Sequence, residues 1–131
     1  MRFFRWLDFD FPSTLKLSER VKILLKPADS FGNRSDQIEL GLHEALVNAV
    51  VHGNGGDSKK RVRVRKIITP KWFVWQIQDQ GNGIDLKARV SSLPSQLDIE
   101  NGRGLFLIHQ CFDDVRWSRK GNRIQVACKR N

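Results

Sequence analysis

The most constraining feature of the sequence is residues 39–54, ELGLHEALVNAVVHGN, in which a polar stripe runs through an otherwise apolar helical pattern. Glu44, Asn48 and His52 stand four residues apart, so an α-helix places them one above another on a single face. Apolar residues fill nearly all of the remaining positions, which predicts a helix buried on most sides. These apolar residues are Leu42, Ala45, Leu46, Val47, Ala49, Val50 and Val51.

The polar stripe needs partners, because a buried amide without a hydrogen bond costs about 1 to 3 kcal/mol. One interpretation is a polar ligand or metal. Glu44 could activate a hydroxyl or a water, Asn48 could give its carbonyl oxygen to Mg²⁺, and His52 could brace the helix end. The other interpretation is an internal hydrogen-bond network that specifies the core. The helix alone does not decide between them.

The chain has 131 residues, enough for one domain with a hydrophobic core, and we expect a single domain over residues 1–131. No apolar run approaches the ~18 residues that span a bilayer, so we expect a cytoplasmic protein without a membrane partner. Cys111 and Cys128 lack a metal-ligand or disulfide-rich spacing, which favours reduced, buried thiols. The net charge of +9 fits an acidic partner, a nucleic acid or a soluble basic surface alike.

The residues before the polar-striped helix predict a strand and a shorter helix. Residues 3–11 alternate in the manner of a strand, and apolar residues recur at helical spacing over 15–25. Ser35 or Asp36 is the predicted N-cap of the polar-striped helix. The glycine-rich residues 53–56 predict its end.

Two strands over 61–68 and 72–79 follow, separated by a break of hairpin length. Arginine and valine alternate on the first strand, which gives it a basic face and an apolar face. On the second strand Asp79 closes an apolar face, directly before Gly81 and Gly83. There its carboxylate can accept a hydrogen bond from a buried donor such as the exocyclic amine of a purine, and the glycines let a flat ring or a phosphate come close.

A further glycine-rich stretch, Gly102-Arg103-Gly104, follows a weakly periodic segment, 86–101, that predicts a short helical piece and a lid-like loop. The stretch opens a predicted helix whose N-terminus could hold phosphate on free backbone N–H groups. The remaining predicted strands are 115–119 and 122–129.

Three stretches, in this order, resemble the motif boxes of the GHKL ATPase and kinase superfamily, and the resemblance covers about residues 5–129. Each box falls on the predicted element that suits it, namely a helix, a strand end and a helix start. The boxes are Glu44, Asn48, His52 and Gly53; then Asp79-Gln80-Gly81-Asn82-Gly83-Ile84; then Gly102-Arg103-Gly104-Leu105.

The shortest members of the superfamily, the anti-sigma factor serine/threonine kinases, are similar to this chain in extent. The resemblance implies the Bergerat-type ATP-binding fold, an α/β (α+β) two-layer sandwich of a mixed, mainly antiparallel sheet with helices on one face. It implies an enzyme that binds ATP and Mg²⁺, phosphorylates Ser or Thr on an antagonist (anti-anti-sigma) protein in a partner-switching system, and sequesters a sigma factor. It also implies a homodimer.

The resemblance assigns Glu44 as the general base, Asn48 as a Mg²⁺ ligand and Asp79 as the reader of the adenine amino group. It places the first glycine pair beside the base and the second pair at the phosphates. The cofactor-binding residues it implies are Asn48, Asp79, Gly81, Gly83, Gly102, Arg103 and Gly104. Related kinases often carry a lid cation that meets the γ-phosphate, for which the candidates here are Lys87, Arg89 and Arg103.

Other functions remain as alternatives. Sensor histidine kinases need a phosphoacceptor hairpin before the catalytic unit, and topoisomerase and mismatch-repair relatives need a transducer domain after it, so we expect neither at this length. A non-catalytic, nucleotide-gated binding module of the same fold predicts that Glu44→Gln leaves partner capture unchanged. Nucleic-acid binding through the basic residues 59–66 is disfavoured, because this run lacks interleaved aromatics that stack on bases.

Overall fold

A computed structural model describes residues 5–26, 28–81 and 99–130, with the backbone alone described at 28–30 and 99–104. Within those ranges, no helix is both long and apolar enough to cross a membrane. The elements in chain order are β1 (Arg5–Pro12), α1 (Leu17–Leu25), 3₁₀ turns (Ala28–Arg34), α2 (Ser35–Val47), a π-helix (Asn48–Gly53), β2 (Arg61–Ile68), β3 (Trp72–Gln78), α3 (Ile99–Cys111), β4 (Asp114–Trp117) and β5 (Arg123–Lys129).

The five strands form one sheet in the order β1-β2-β3-β5-β4. Every pairing among these described strands is antiparallel, so they lack the parallel pairing that a mixed sheet implies. On β2, Val62 and Val64 are buried while Arg61, Arg63 and Arg65 are exposed. Over residues 61–65, β2 therefore has an apolar inner face and a basic outer face, as the alternation in the sequence predicted.

The helices cover the inner face of the sheet. Leu24 of α1, Leu42 of α2 and Trp75 of β3 are fully buried in one hydrophobic cluster, where each large side chain contributes about 1.5 to 3 kcal/mol. The indole N–H of Trp75 also donates to the carbonyl oxygen of Leu24 at 3.0 Å, which fastens α1 to the sheet. The predicted two-layer sandwich with helices on one face is thus confirmed.

Helices α2 and α3 pack in close contact. A side-chain carbon added at Gly41 would lie 2.6 Å from the ring of Phe112 and 2.7 Å from Cβ of Cys111, so only glycine permits this approach. At the start of α2, Arg34 donates to the carboxylate of Asp113 at 2.9 Å and to the last carbonyl of α3, at Cys111, at 3.4 Å. These contacts satisfy groups that a helix end leaves without partners.

Two helix starts differ from the prediction. The first helix begins at Leu17, and Leu15, which is 70% exposed, lies outside it. The N-cap of α2 is Arg34, with no side-chain capping bond, so the prediction of Ser35 or Asp36 was wrong by one or two residues. The contact of Arg34 with the end of α3 fixes the start of α2 here, and the sequence pattern carries no sign of such a long-range contact.

Candidate functional site

Glu44 and Asn48 lie one turn apart on the continuous helix that α2 and the π-helix form. Asn48 is buried, at 8% exposed, and the side chain of Glu44 is 23% exposed. Of the three residues between them, Ala45 and Leu46 are buried in the core, and Val47 is partly buried against it. The amide and the carboxylate are therefore carried on a packed, rigid element, as a precisely positioned polar group requires.

His52 does not share the environment of these two residues. From Asn48 the helix widens into π geometry, with the N–H of Asn54 donating to the carbonyl of Ala49 at 2.8 Å. An extra residue in the turn rotates the following positions by roughly 100° relative to an α-helix. His52 is exposed, and Val51, predicted to be buried, is 39% exposed. The predicted continuous α-helical stripe therefore ends at Asn48.

Asp79 lies directly after β3, and it is buried at 7% exposed. Its backbone N–H donates to the carbonyl of Asn122 at 2.9 Å, and its carboxylate accepts the N–H of Gly81 at 2.8 Å. A side-chain carbon added at Gly53 would overlap this carboxylate, and one added at Gly81 would overlap the carbonyl of Gly53. The helix end and the strand end can meet only because both positions are glycine.

A second buried amide, Asn54, holds this junction together. Its Nδ2 donates to Oγ of Ser13 and to the carbonyl of Arg61, both at 3.0 Å, and its Oδ1 accepts the N–H of Gln80 at 2.7 Å. The side chain of Gln80 in turn accepts the N–H of Arg61 at 2.7 Å. The loop that follows Asp79 is therefore anchored to β2 and to the end of β1. From its sequence position, Asn54 was expected only to lie at the end of the helix, within the glycine-rich residues 53–56.

Glu44 lies close to the contact between α2 and α3. Burial raises the pKa of the Cys111 thiol, and the negative charge of Glu44 raises it further, while Arg34 lowers it. Both Cys111 and Cys128 are buried and unpaired, as the sequence predicted. The carboxylate of Glu44 therefore interacts electrostatically with Cys111, the last residue of α3, although Glu44 and Cys111 are far apart in sequence.

A comparison with protein families matches residues 19–128 to the model of the histidine kinase-like ATPase domain. The chain belongs to the histidine kinase-like ATPase family. This confirms the GHKL part of the resemblance and indicates ATP binding with an ATP-dependent kinase or ATPase activity. A comparison with curated proteins finds no match.

The donor set fits the ATP and Mg²⁺ that histidine kinase-like ATPases use. A buried carboxylate such as Asp79 is an acceptor for an adenine amino group, and the amide oxygen of Asn48 is a ligand type that Mg²⁺ accepts. Among the described residues, no group of three or more His, Cys, Asp or Glu is placed to hold a metal. One amide still suffices, because Mg²⁺ in nucleotide sites keeps few protein ligands and takes the rest from phosphates and water.

The other predicted site residues are only partly described. Gly83 and the lid candidates Lys87 and Arg89 lie outside the described residues. The stretch Gly102–Gly104 was expected to open a helix, but α3 begins at Ile99, so these residues lie within its first turns. The prediction of a helix start at Gly102 was therefore wrong by three residues. The predicted phosphate contacts of Gly102, Arg103 and Gly104 stay predictions.

Proposed function

We propose that this protein is a cytoplasmic, ATP- and Mg²⁺-dependent serine/threonine protein kinase of the anti-sigma type. Its substrate is an antagonist protein in a partner-switching system, and its second partner is a sigma factor, which it sequesters as a homodimer. One observation carries most of the support for the kinase hypothesis. Within a histidine kinase-like ATPase domain, a partly exposed carboxylate, Glu44, stands one turn from the buried amide of Asn48 on a rigid helix.

In phosphoryl transfer the protein takes little part in the covalent chemistry, because most of the reduction in the barrier comes from positioning and charge stabilisation. Bound ATP supplies the phosphoryl group and Mg²⁺ supplies charge stabilisation. Glu44, still 23% exposed at its side chain, is open to an incoming hydroxyl and takes its proton as general base. Asn48 holds the metal through its amide oxygen, and Asp79 orients the nucleotide through the adenine amino group.

The junction of Gly53, Asp79 and Gly81 supports the nucleotide part of this proposal. It buries a carboxylate between two backbones, and Asn54 anchors the loop that follows. A carboxylate fixed in this way loses little freedom when it accepts a hydrogen bond from a ligand, so more of that bond contributes to affinity. Sequestration of a sigma factor and homodimer formation rest on the resemblance to anti-sigma kinases alone.

The test is transfer from γ-labelled ATP, with Mg²⁺, into proteins of a native lysate. Wild type and Glu39→Gln should label one small acceptor protein on serine or threonine. Glu44→Gln should label it at least about 100-fold more slowly, because a general base contributes roughly 10²- to 10⁴-fold. Glu39 is the matched control, since it is an exposed glutamate on the same helix.

Two outcomes would contradict parts of the proposal. Equal labelling by Glu44→Gln and wild type would remove the base assignment. ATP binding without any labelled acceptor would favour the non-catalytic, nucleotide-gated binding module. In that case capture of a sigma factor should depend on nucleotide and should be the same for wild type and Glu44→Gln.

A further inference from the structure

The outer face of the sheet carries two rows of polar side chains that no described helix covers. Strand register places Asp8, Arg65, Gln76, Gln125 and Arg116 in one row. The other row is Asp10, Arg63, Gln78 and Arg123. We call these two rows the arginine face. A groove of about 400 Å³ runs along it, on the side of the sheet opposite the helices that carry Glu44 and Asn48.

The carboxylates of the arginine face do not balance its guanidinium groups. Asp10 accepts a hydrogen bond from Arg61 at 2.6 Å, and Arg63 reaches the same carboxylate only at 3.9 Å. Arg63 remains 76% exposed. Arg123 is exposed too, and it forms no ion pair with any residue in the described part of the chain. Two arginines are therefore left with most of their donors open to solvent.

These two arginines have a fixed separation. Arg63 and Arg123 both stand opposite Gln78, one on each neighbouring strand. Neighbouring strands lie about 4.8 Å apart, so the two backbones are about 10 Å apart. That distance is about three residues of an extended chain or two turns of a helix. The amide of Gln78 between them adds a neutral donor and acceptor.

We propose that the arginine face is a docking surface for an acidic segment of a partner protein, held by carboxylates that pair with Arg63 and Arg123. Arginine suits this role because its planar fork binds carboxylates in a bidentate manner and is enriched in protein interfaces. The glutamines provide hydrogen bonds without adding a charge that would repel the partner. The proposal does not rest on the kinase function, since the face lies on the other side of the sheet from the candidate ATP site.

The charge pattern favours a protein over a nucleic acid or a second copy of the chain. A phosphate backbone carries a charge on every unit, so on crossing the rows it would bring several charges past Asp8 and Asp10, which are 60% and 48% exposed at their side chains. A short segment with two carboxylates spaced for Arg63 and Arg123 need not pass either aspartate. The guanidinium of Arg65 lies 4.9 Å from the centroid of the Trp6 ring and occupies one of its two faces, where a base would otherwise stack. Two copies placed face to face would bring the exposed guanidinium groups of Arg63 and Arg123 towards those of the other copy.

The test uses a peptide of consecutive glutamates, which offers carboxylates at this separation in an extended or a helical conformation, and ¹⁵N-labelled full-length protein at physiological salt. Amide shifts should concentrate on the outer-face residues of β2, β3 and β5. The double variant Arg63→Gln/Arg123→Gln should bind the peptide about four- to 25-fold more weakly, because each exposed pair contributes about a two- to fivefold factor and the two factors multiply. The control Lys16→Gln/Lys22→Gln removes the same charge from the helix layer and should bind like wild type.

Several results would overturn the proposal. These are absent shifts, shifts on the helix layer, an equal loss of affinity in the lysine control, and tighter binding of a uridine oligonucleotide than of the peptide. A concentration-dependent dimer that the arginine variant abolishes, without peptide binding by wild type, would assign the face to a second copy. Binding of the peptide and the ATP assays are separate measurements, so failure of one does not decide the other.

Discussion

Lys66 provides the sharpest test of the packing between sheet and helices. It is 1% exposed, on the inner face of β2, and its Nζ donates to the carbonyl of Lys26. The rings of Trp75 and Phe73 lie 5.7 and 5.8 Å from Nζ. Burial lowers the pKa of Lys66 to about 8, because the charged form loses its water, although the neighbouring Cys128 raises it slightly.

The sign of the pH effect follows from this lowered pKa. An unfolded lysine has a pKa of about 10.4, so between about pH 8 and 10.4 the unfolded chain holds a proton that folded Lys66 has lost. The free energy of unfolding therefore rises with pH in this window, by up to about 1.4 kcal/mol per pH unit and about 3 kcal/mol in total. Below about pH 8 both states are protonated and this group adds no slope.

The assay is urea unfolding of wild type and Lys66→Met at several pH values from about 7.5 to 10. Burial raises the pKa of Cys128 to about 11, so this thiol lowers the free energy of unfolding above about pH 9. It does so in wild type and in Lys66→Met alike, so its contribution largely cancels in the difference between the two proteins. The stability of wild type relative to Lys66→Met should rise by about 2 to 3 kcal/mol over the window. If the stability difference between wild type and Lys66→Met stays constant with pH, the pKa of Lys66 is not lowered by burial and the reasoning is refuted.

Two further predictions concern the junction beside Asp79. Asn54→Ala removes one buried and two partly buried hydrogen bonds and should lower the free energy of unfolding by about 2 to 4 kcal/mol, whereas Ser13→Ala removes one and should cost about 1 kcal/mol. Urea unfolding checks both, and a loss below about 1 kcal/mol in Asn54→Ala would contradict the bridging role. Gly53→Ala should weaken ATP binding at least about tenfold in a fluorescence titration, because the new methyl displaces the carboxylate of Asp79. Gly56→Ala, where φ is +75° and no atom lies near the added carbon, should strain the backbone but leave ATP binding unchanged.

The sequence predicted the sheet well, because strand alternation is a local signal. The strand predicted over 61–68 is β2 as observed, and the one predicted over 72–79 ends one residue later than β3. Helix starts were less predictable. The start of α2 is set by contacts of Arg34 with the end of α3, far along the chain, and no pattern near Ser35 reports them.

In the candidate site, too, features that depend on a local pattern could be predicted, and features that depend on distant contacts could not. A polar residue on an apolar helix or at the end of an apolar strand face is visible in sequence, so Asn48 and Asp79 could be singled out and both are buried. The bridge made by Asn54 could not be, because its partners Ser13 and Arg61 come from other elements. The change to π geometry also escaped prediction, since a helical pattern of period 3.6 continues through it.

Nucleotide recognition by Asp79 is tested most sharply by calorimetric binding of ATP and GTP, each with Mg²⁺, to wild type and Asp79→Asn. If the carboxylate of Asp79 accepts a hydrogen bond from the adenine amino group, as proposed, wild type should prefer ATP, because the same carboxylate repels the carbonyl that guanine places there. Asp79→Asn can still accept the N–H of Gly81, so it should stay folded, yet lose at least about tenfold in ATP affinity and most of its preference. Equal binding of ATP by a folded Asp79→Asn would remove the assignment of Asp79 to the adenine, and no ATP binding by wild type would contradict the proposed nucleotide site.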